Sequence, residues 1–240
     1  MELTILYASL VIFFGAFTQS LTGFGIGLVT MAMLPALLGL HTATPLVALA
    51  GTVLEVTMLI RYHQSLQLRS IWRLVVAATL AVPAGVYILQ RVNEHIALLI
   101  LGIIITGYAI YALIGFRLPE LGHSYWAWLL GGLGGMLGGA FNTAGPPVII
   151  YGNCRKWSPQ EFKSNLAGFF IVNSLIVVST HWWSGNYTLA VMTTFWWSLP
   201  ALFLGFWAGQ SLDRWLNPER FRKIVLLLLV GLGVRLMLST

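Results

Sequence analysis

The sequence predicts an all-α polytopic membrane protein made of two inverted repeats, each a broken, re-entrant helical element followed by three transmembrane helices. Three observations carry that reading. Charged residues make up only 8% of the 240 and hydrophobic residues 58%, with a mean hydropathy of +0.84; a soluble domain carries about 25% charged side chains. Uncharged stretches such as residues 97–116 reach about 30 Å as a helix, the thickness of a bilayer's hydrocarbon core. Finally, two apolar stretches are interrupted by small and polar residues half a chain apart, Gly23 and Gly145 standing 122 positions from one another (145 − 23).

The N-terminal repeat, residues 1–120, opens with a broken element over 3–39. Its apolar run is interrupted by Thr18-Gln19-Ser20-Leu21-Thr22-Gly23-Phe24-Gly25-Ile26-Gly27, where glycine removes helical preference. The flanking pieces, 3–17 and 24–39, cover only about 22 Å each. Singly they are too short to cross and together too long for one span, so a re-entrant hairpin is expected. Spans follow at 42–60, 72–90 and 96–116. The C-terminal repeat, residues 121–240, restates the order. Its broken element covers 125–152, interrupted by Gly138-Gly139-Ala140-Phe141-Asn142-Thr143-Ala144-Gly145-Pro146-Pro147, in which the prolines remove amide donors and disfavour helix just before them. Spans are expected at 165–183, 187–209 and 221–238. Asn93 and Asn217, each closing a matching later segment, differ by 124 positions (217 − 93).

Charge counting favours the hairpins. With both broken elements re-entrant, Arg61, Arg69, Arg73, Arg117, Arg155, Lys156, Lys163, Arg214, Arg220, Arg222 and Lys223 fall on one side, and only Arg91 and Arg235 on the other. With eight full crossings the same residues divide eight against five. The positive-inside rule selects the first arrangement, with basic loops in the cytoplasm and both termini outside. The net charge of +6 is then a property of membrane loops, and no nucleic-acid partner is expected. One cysteine, Cys154, excludes an internal disulfide. The five histidines (41, 63, 95, 123 and 181) show no ligand spacing, so neither metal nor cofactor is expected. The start, Met1-Glu2, lacks the basic region of a cleavable signal, and the first segment is expected to stay as a membrane element.

Irregular backbone at membrane depth persists only when buried in protein or lining a wet cavity, and matching breaks in two halves point to a solute site. Half-helices meeting there offer amides and a positive dipole end, which suits an anionic group. The candidate residues are Gln19, Ser20, Thr22, Gly23 and Gly25 in the first break and Asn142, Thr143 and Gly145 in the second, with Thr18 a further neutral donor. Asn165 and Asn173, eight residues apart on roughly one helical face, either line the same path or bond neighbouring helices. Glu55 is the one carboxylate inside a confident span, where charge is costly. It either carries a proton or pairs with Arg61 or Lys163. Gly131, Gly135 and Gly139, like Gly134 and Gly138, have the small-xxx-small spacing that lets helices approach in lipid; it serves internal packing or a homodimer alike. Trp196 and Trp197 are too central for an interfacial belt and are expected to pack between helices, whereas Trp126, Trp182 and Trp183 suit an interface. Gly23-Phe24-Gly25-Ile26-Gly27 lacks the βαβ context of a nucleotide loop. No hydrolase motif is present, leaving Ser20 and His181 as the sole pair for an intramembrane hydrolase, the runner-up from another class.

The motifs resemble those of the TauE/SafE family, also called the 4-toluene sulfonate uptake permeases. The likeness is carried by Gly15-Ala16-Phe17 leading to Thr22-Gly23-Phe24-Gly25, by Gly138 to Pro147 with Tyr151, and by Phe162-Lys163-Ser164-Asn165-Leu166-Ala167. It covers essentially the whole chain. Many members carry a glycine triplet in the first motif, whereas here Phe24 and Ile26 separate the glycines. The resemblance implies a permease of the bacterial inner membrane, not an enzyme, that moves a small sulfur-containing anion such as sulfite or an organosulfonate. Its partners are then that solute and the lipid bilayer. The rival transport reading is a passive anion channel.

Overall fold

The computed structural model describes residues 2–63, 66–115, 119–212, 215 and 217–238; Arg117 and Arg214 of the charge count lie outside these. The regular structure of the described residues is helical throughout: α1 (Glu2–Thr22), α2 (Ile26–Met33), α3 (Pro35–Leu38), α4 (Leu40–Tyr62), α5 (Leu68–Arg91) and α6 (Glu94–Ile114), then α7 (Tyr125–Phe141), α8 (Gly145–Cys154), α9 (Pro159–Trp183), α10 (Leu189–Leu212) and α11 (Pro218–Leu238). Local chemistry sets several ends. Asn93 caps α6 through the His95 amide, and Gly115 closes it in the left-handed conformation. Ser158 and Glu161 form a capping box at the start of α9. Pro45, Pro83 and Pro200 sit inside α4, α5 and α10, a placement membrane helices tolerate because neighbouring groups satisfy the freed carbonyls.

Among the described residues six helices are long and apolar enough to cross a membrane: α1, α4, α5, α6, α9 and α10. This corrects one expectation. The first arm of the first break is not a piece of fifteen residues ending at position 17, but a helix of 21 residues, about 31 Å long. Thr18 to Thr22 stay helical because nothing in them forbids it; only Gly23 and Gly25, with φ of 84° and 127°, stop the turn. α11, expected as a span over 221–238, has the length of one, 21 residues, with Arg222 and Lys223 near one end and Arg235 near the other.

Both broken elements fold back as antiparallel helical hairpins. Gly15 of α1 faces Ile26 and Thr30 of α2, and Thr18 faces Gly25. In the second, Gly134 of α7 faces Val148 of α8, and Gly138 faces Ala144. The second break is also narrower than expected. Gly138 to Phe141 belong to α7, and Pro146 and Pro147 occupy the first turn of α8, where proline starts a helix rather than breaking it.

The helices pack across the two halves of the chain. α1 lies on α10, α7 on α5, α4 on α9 and α6 on α11. Glycine makes the closest of these contacts. Gly131, Gly135 and Gly139 press against the α5 backbone at Leu74, Ala78 and Val82, and Gly205 and Gly209 of α10 press against α1 at Phe13 and Phe17. Gly134 and Gly138 face α8 and α9 instead, so this small-xxx-small pattern is absorbed by internal packing. Trp196 and Trp197, expected between helices, are 61% and 68% exposed. They point away from the bundle, because the buried stripe of α10 runs through Thr194, Phe195, Ser198 and Leu202.

Candidate functional site

The first break is held by a side chain. Gln19, in the last turn of α1, reaches across the gap and accepts the Ile26 N–H on Oε1 at 3.0 Å. Its Nε2 donates to Glu55 Oε1 of α4 at 2.6 Å, so one amide ties the break to the buried carboxylate, which is 4% exposed. Thr22 Oγ1 lies 2.9 Å from the Thr18 carbonyl and 2.5 Å from that of Phe24; its single proton serves one at a time.

The second break is held by backbone. Asn142 takes the left-handed conformation (φ 53°, ψ 24°), which asparagine visits more readily than most residues. Its N–H bonds back to the Gly138 carbonyl at 2.9 Å, and that of Thr143 to Leu137 at 3.2 Å. The Asn142 Nδ2 donates to the Thr44 carbonyl of α4 at 2.8 Å. The two breaks meet directly: Gly27, in the first turn of α2, lies so close to the Asn142 carbonyl that a Cβ would overlap it.

Between them is a cavity of about 40 Å³, space for on the order of three water-sized groups. Polar side chains reach it from three helices and a break: Gln19, Glu55, Asn142, Thr143, Asn173 and Ser174. Its backbone walls include Gly25, Gly27, Leu28 and Gly145. In the first turn of α2 the Ile26 amide is taken by Gln19 and that of Val29 by Gly25; Gly27 and Leu28 hold the remaining donors that a helix start leaves without an intrahelical partner. α8 contributes fewer, because Pro146 and Pro147 have none. Asn173 Oδ1 has no hydrogen-bond partner among the described residues. Among those residues no cationic side chain lines the cavity, and no group of three or more His, Cys, Asp or Glu is placed to hold a metal.

Of the residues singled out from sequence, Gln19, Gly25, Glu55, Asn142, Thr143, Gly145 and Asn173 line this one cavity. Four do not. Ser20 donates to the Phe206 carbonyl of α10 at 3.0 Å, since neighbours on a helix point about 100° apart and Gln19 holds the inward direction. Asn165 shares a face with Asn173 but sits about 12 Å away along α9, where it accepts the Gln67 N–H at 2.9 Å. Thr22 lines a second, larger cavity, and Gly23 lies under the Lys163 side chain. Ser20 and His181 are each engaged elsewhere, His181 with Asn186 at 2.7 Å. Sequence reasoning missed Phe24, Phe170 and Ser174 in the cavity wall. Phe24 had a visible signal, a large aromatic residue set singly between Gly23 and Gly25.

Membrane-length helices around a small polar cavity, with two broken hairpins meeting at its wall, define a membrane transport protein. Comparison with known sequences agrees: the chain belongs to the sulfite exporter TauE/SafE family, whose sequence profile it matches over residues 8–236. It is 27% identical over 232 residues to the probable sulfite/organosulfonate exporter TauE of Cupriavidus necator, covering 93% of this chain and 90% of that one. Over 187 residues it is 27% identical to the probable inner membrane transporter protein TsaS of Comamonas testosteroni, covering 72% and 76%. No solved structure matches the chain significantly. The family is one of transporters, so the protein is a multi-pass membrane transporter and not a hydrolase.

Proposed function

We propose that the protein moves a small sulfur oxyanion, sulfite or a compact sulfonate, across the bacterial inner membrane by alternating access. The observation that carries this reading is the convergence of both breaks on one cavity, where hydrogen-bond donors replace the hydration of an anion. Gln19, Asn142, Thr143 and Asn173, with the amides of Gly27 and Leu28, are the binding groups, and the names of the related proteins supply the solute class. The two halves are inverted repeats that rock about this site. The reciprocal packing, α1 on α10 and α7 on α5, supports that duplication. Basic loops face the cytoplasm and both termini lie outside, as the distribution of Lys and Arg favours.

Glu55 couples the anion to a proton. An ionised carboxylate and an anion repel one another in a cavity this small, so a proton and an anion favour each other's presence. Gln19 transmits the change. While Glu55 is ionised, Gln19 donates to it and caps Ile26. A protonated Glu55 donates in turn, and Gln19 turns its amide, releasing the Ile26 N–H to the solute.

The test is flux into proteoliposomes loaded with sulfite, toluenesulfonate or a short alkyl sulfonate, with and without an imposed proton gradient. Saturable, gradient-driven movement that accumulates solute uphill is the expected result. Flux that only runs downhill and never saturates replaces the carrier with a channel. Folded protein that moves none of the three overturns the solute class.

A further inference from the structure

We propose that the protein carries a second anion-binding site, a basic vestibule between Lys163 and Arg222, and that Phe24 is the door between it and the central cavity. The vestibule stands on its own geometry; its service to the central cavity rests on the transport reading above.

The larger cavity has a volume of about 680 Å³. Its walls are the end of α1, the end of α8 and the starts of α9 and α11, and its charged side chains among the described residues are Lys163, Glu219 and Arg222. Glu219 is in the first turn of α11, where the helix dipole favours a negative charge, and its amide is capped by Asn217. Among the described residues the lining thus carries two cations and one carboxylate, a net positive charge. Lys163 lays its aliphatic stem over Gly23, its Cγ 3.3 Å from where a Cβ would sit, so its ammonium is anchored beside the first break. Arg222 holds its guanidinium 5.9 Å above the Phe24 ring, and its Nε is buried without a hydrogen-bond partner among the described residues. A planar fork with an unused donor is the geometry that takes an oxyanion through paired hydrogen bonds. Trp157 and Phe162 form apolar walls in the same space, room for a solute with an apolar tail that 40 Å³ does not offer.

Phe24 is the one residue among those described that lines both cavities. Its ring is 7% exposed and meets Tyr108 edge-on, with centroids 6.3 Å apart at 81°. Its backbone hangs between Gly23 and Gly25, both at positive φ, so glycine on either side permits the ring to be reoriented without a steric penalty from neighbouring side chains. An anion that pairs with Arg222 draws the guanidinium off the ring and loosens one of its two aromatic-face contacts. Arrival in the vestibule thus opens the way inward.

The experiment reads the potential and the door without assuming a transported solute. A thiol is placed in the vestibule by Asn153→Cys in a Cys154→Ser background. Its modification rate is measured with an anionic sulfonate-bearing methanethiosulfonate and with its cationic trimethylammonium counterpart, each scaled to a free thiol. The anionic reagent is expected to be favoured about 10-fold, with the ratio falling toward one in Arg222→Gln and in Lys163→Gln. A ratio that neither substitution changes overturns the vestibule, and testing the two separately guards against one variant failing to fold. For the door, Ser174→Cys in the central cavity should react measurably faster once Phe24→Ala is added. Phe24→Leu, which keeps most of the packing, should give an intermediate rate. Equal rates in all three overturn the door. Absent solute flux with the charge ratio intact sinks the transport reading alone, and a ratio of one with flux intact sinks the vestibule alone.

Discussion

The two breaks perform the same backbone operation with different chemistry. In the first, glycines at positive φ stop α1, and the freed amide of Ile26 is capped by a side chain that also touches the buried carboxylate. In the second, no glycine is strained. Asn142 makes the left-handed turn, and prolines restart the helix. The first break therefore supplies amides whose availability depends on Gln19, and the second supplies a fixed side chain and carbonyl backed by Thr44. In the proposed cycle the first break is the adjustable side and the second the rigid one, because a site that responds to a proton must move against something that does not.

The largest effect expected from perturbing this pairing is at the point of contact. Gly27→Ala drives a methyl group into the Asn142 carbonyl; since backbone yields poorly, the substitution should cost about 1–3 kcal/mol and abolish flux, read by thermal melting and proteoliposome transport. Unchanged melting would mean the breaks do not depend on one another. Next comes the rigid side. Asn142→Leu should abolish flux, but it also places a bulky residue in the left-handed region at about 1–2 kcal/mol. Asn142→Gly keeps the turn and removes only the side chain, and full flux in it would remove that amide from the mechanism. On the adjustable side, Glu55→Gln should leave downhill movement while removing its acceleration by acid on the loading side, measured as flux against pH. Gradient-driven flux equal to that of the unaltered protein would end the proton role. The smallest contrast is between glycines. Gly25→Ala, at φ 127° and 3.1 Å from Thr18 Cγ2, should destabilise by about 1–2 kcal/mol. Gly145→Ala, whose nearest neighbour is at 3.5 Å, should stay within about 0.5 kcal/mol.

Hydropathy made the helical spans and the two interruptions legible because burial in lipid acts on whole segments and needs no register. The limits of each break were not legible. Thr18 to Thr22 and Gly138 to Phe141 look non-helical by composition, yet within helices of α1 and α7 they are satisfied by the preceding turn and by neighbours. Direction around a helix was the other hidden quantity. Gln19 and Ser20 are adjacent and equally polar, and only the docking of α10 decides that Ser20 turns away from the cavity. Trp196 and Trp197 faced outward for the same reason: which stripe of α10 is buried depends on α1. Asn165 and Asn173 were placed on one face correctly, but depth along the axis separated them. Glu55 was visible as an isolated acid, and its partner became evident only when α1 and α4 came together.

The exchange of helices between the halves also governs how the protein is made. The first hairpin leaves the ribosome well before the glycine face that receives it, Gly205 and Gly209 on α10. Until that face appears Ser20 lacks its Phe206 acceptor, whereas Gln19 already has Ile26 and Glu55 within reach. Neither half is a unit that matures by itself, and a chain cut off before α10 leaves its opening hairpin undocked.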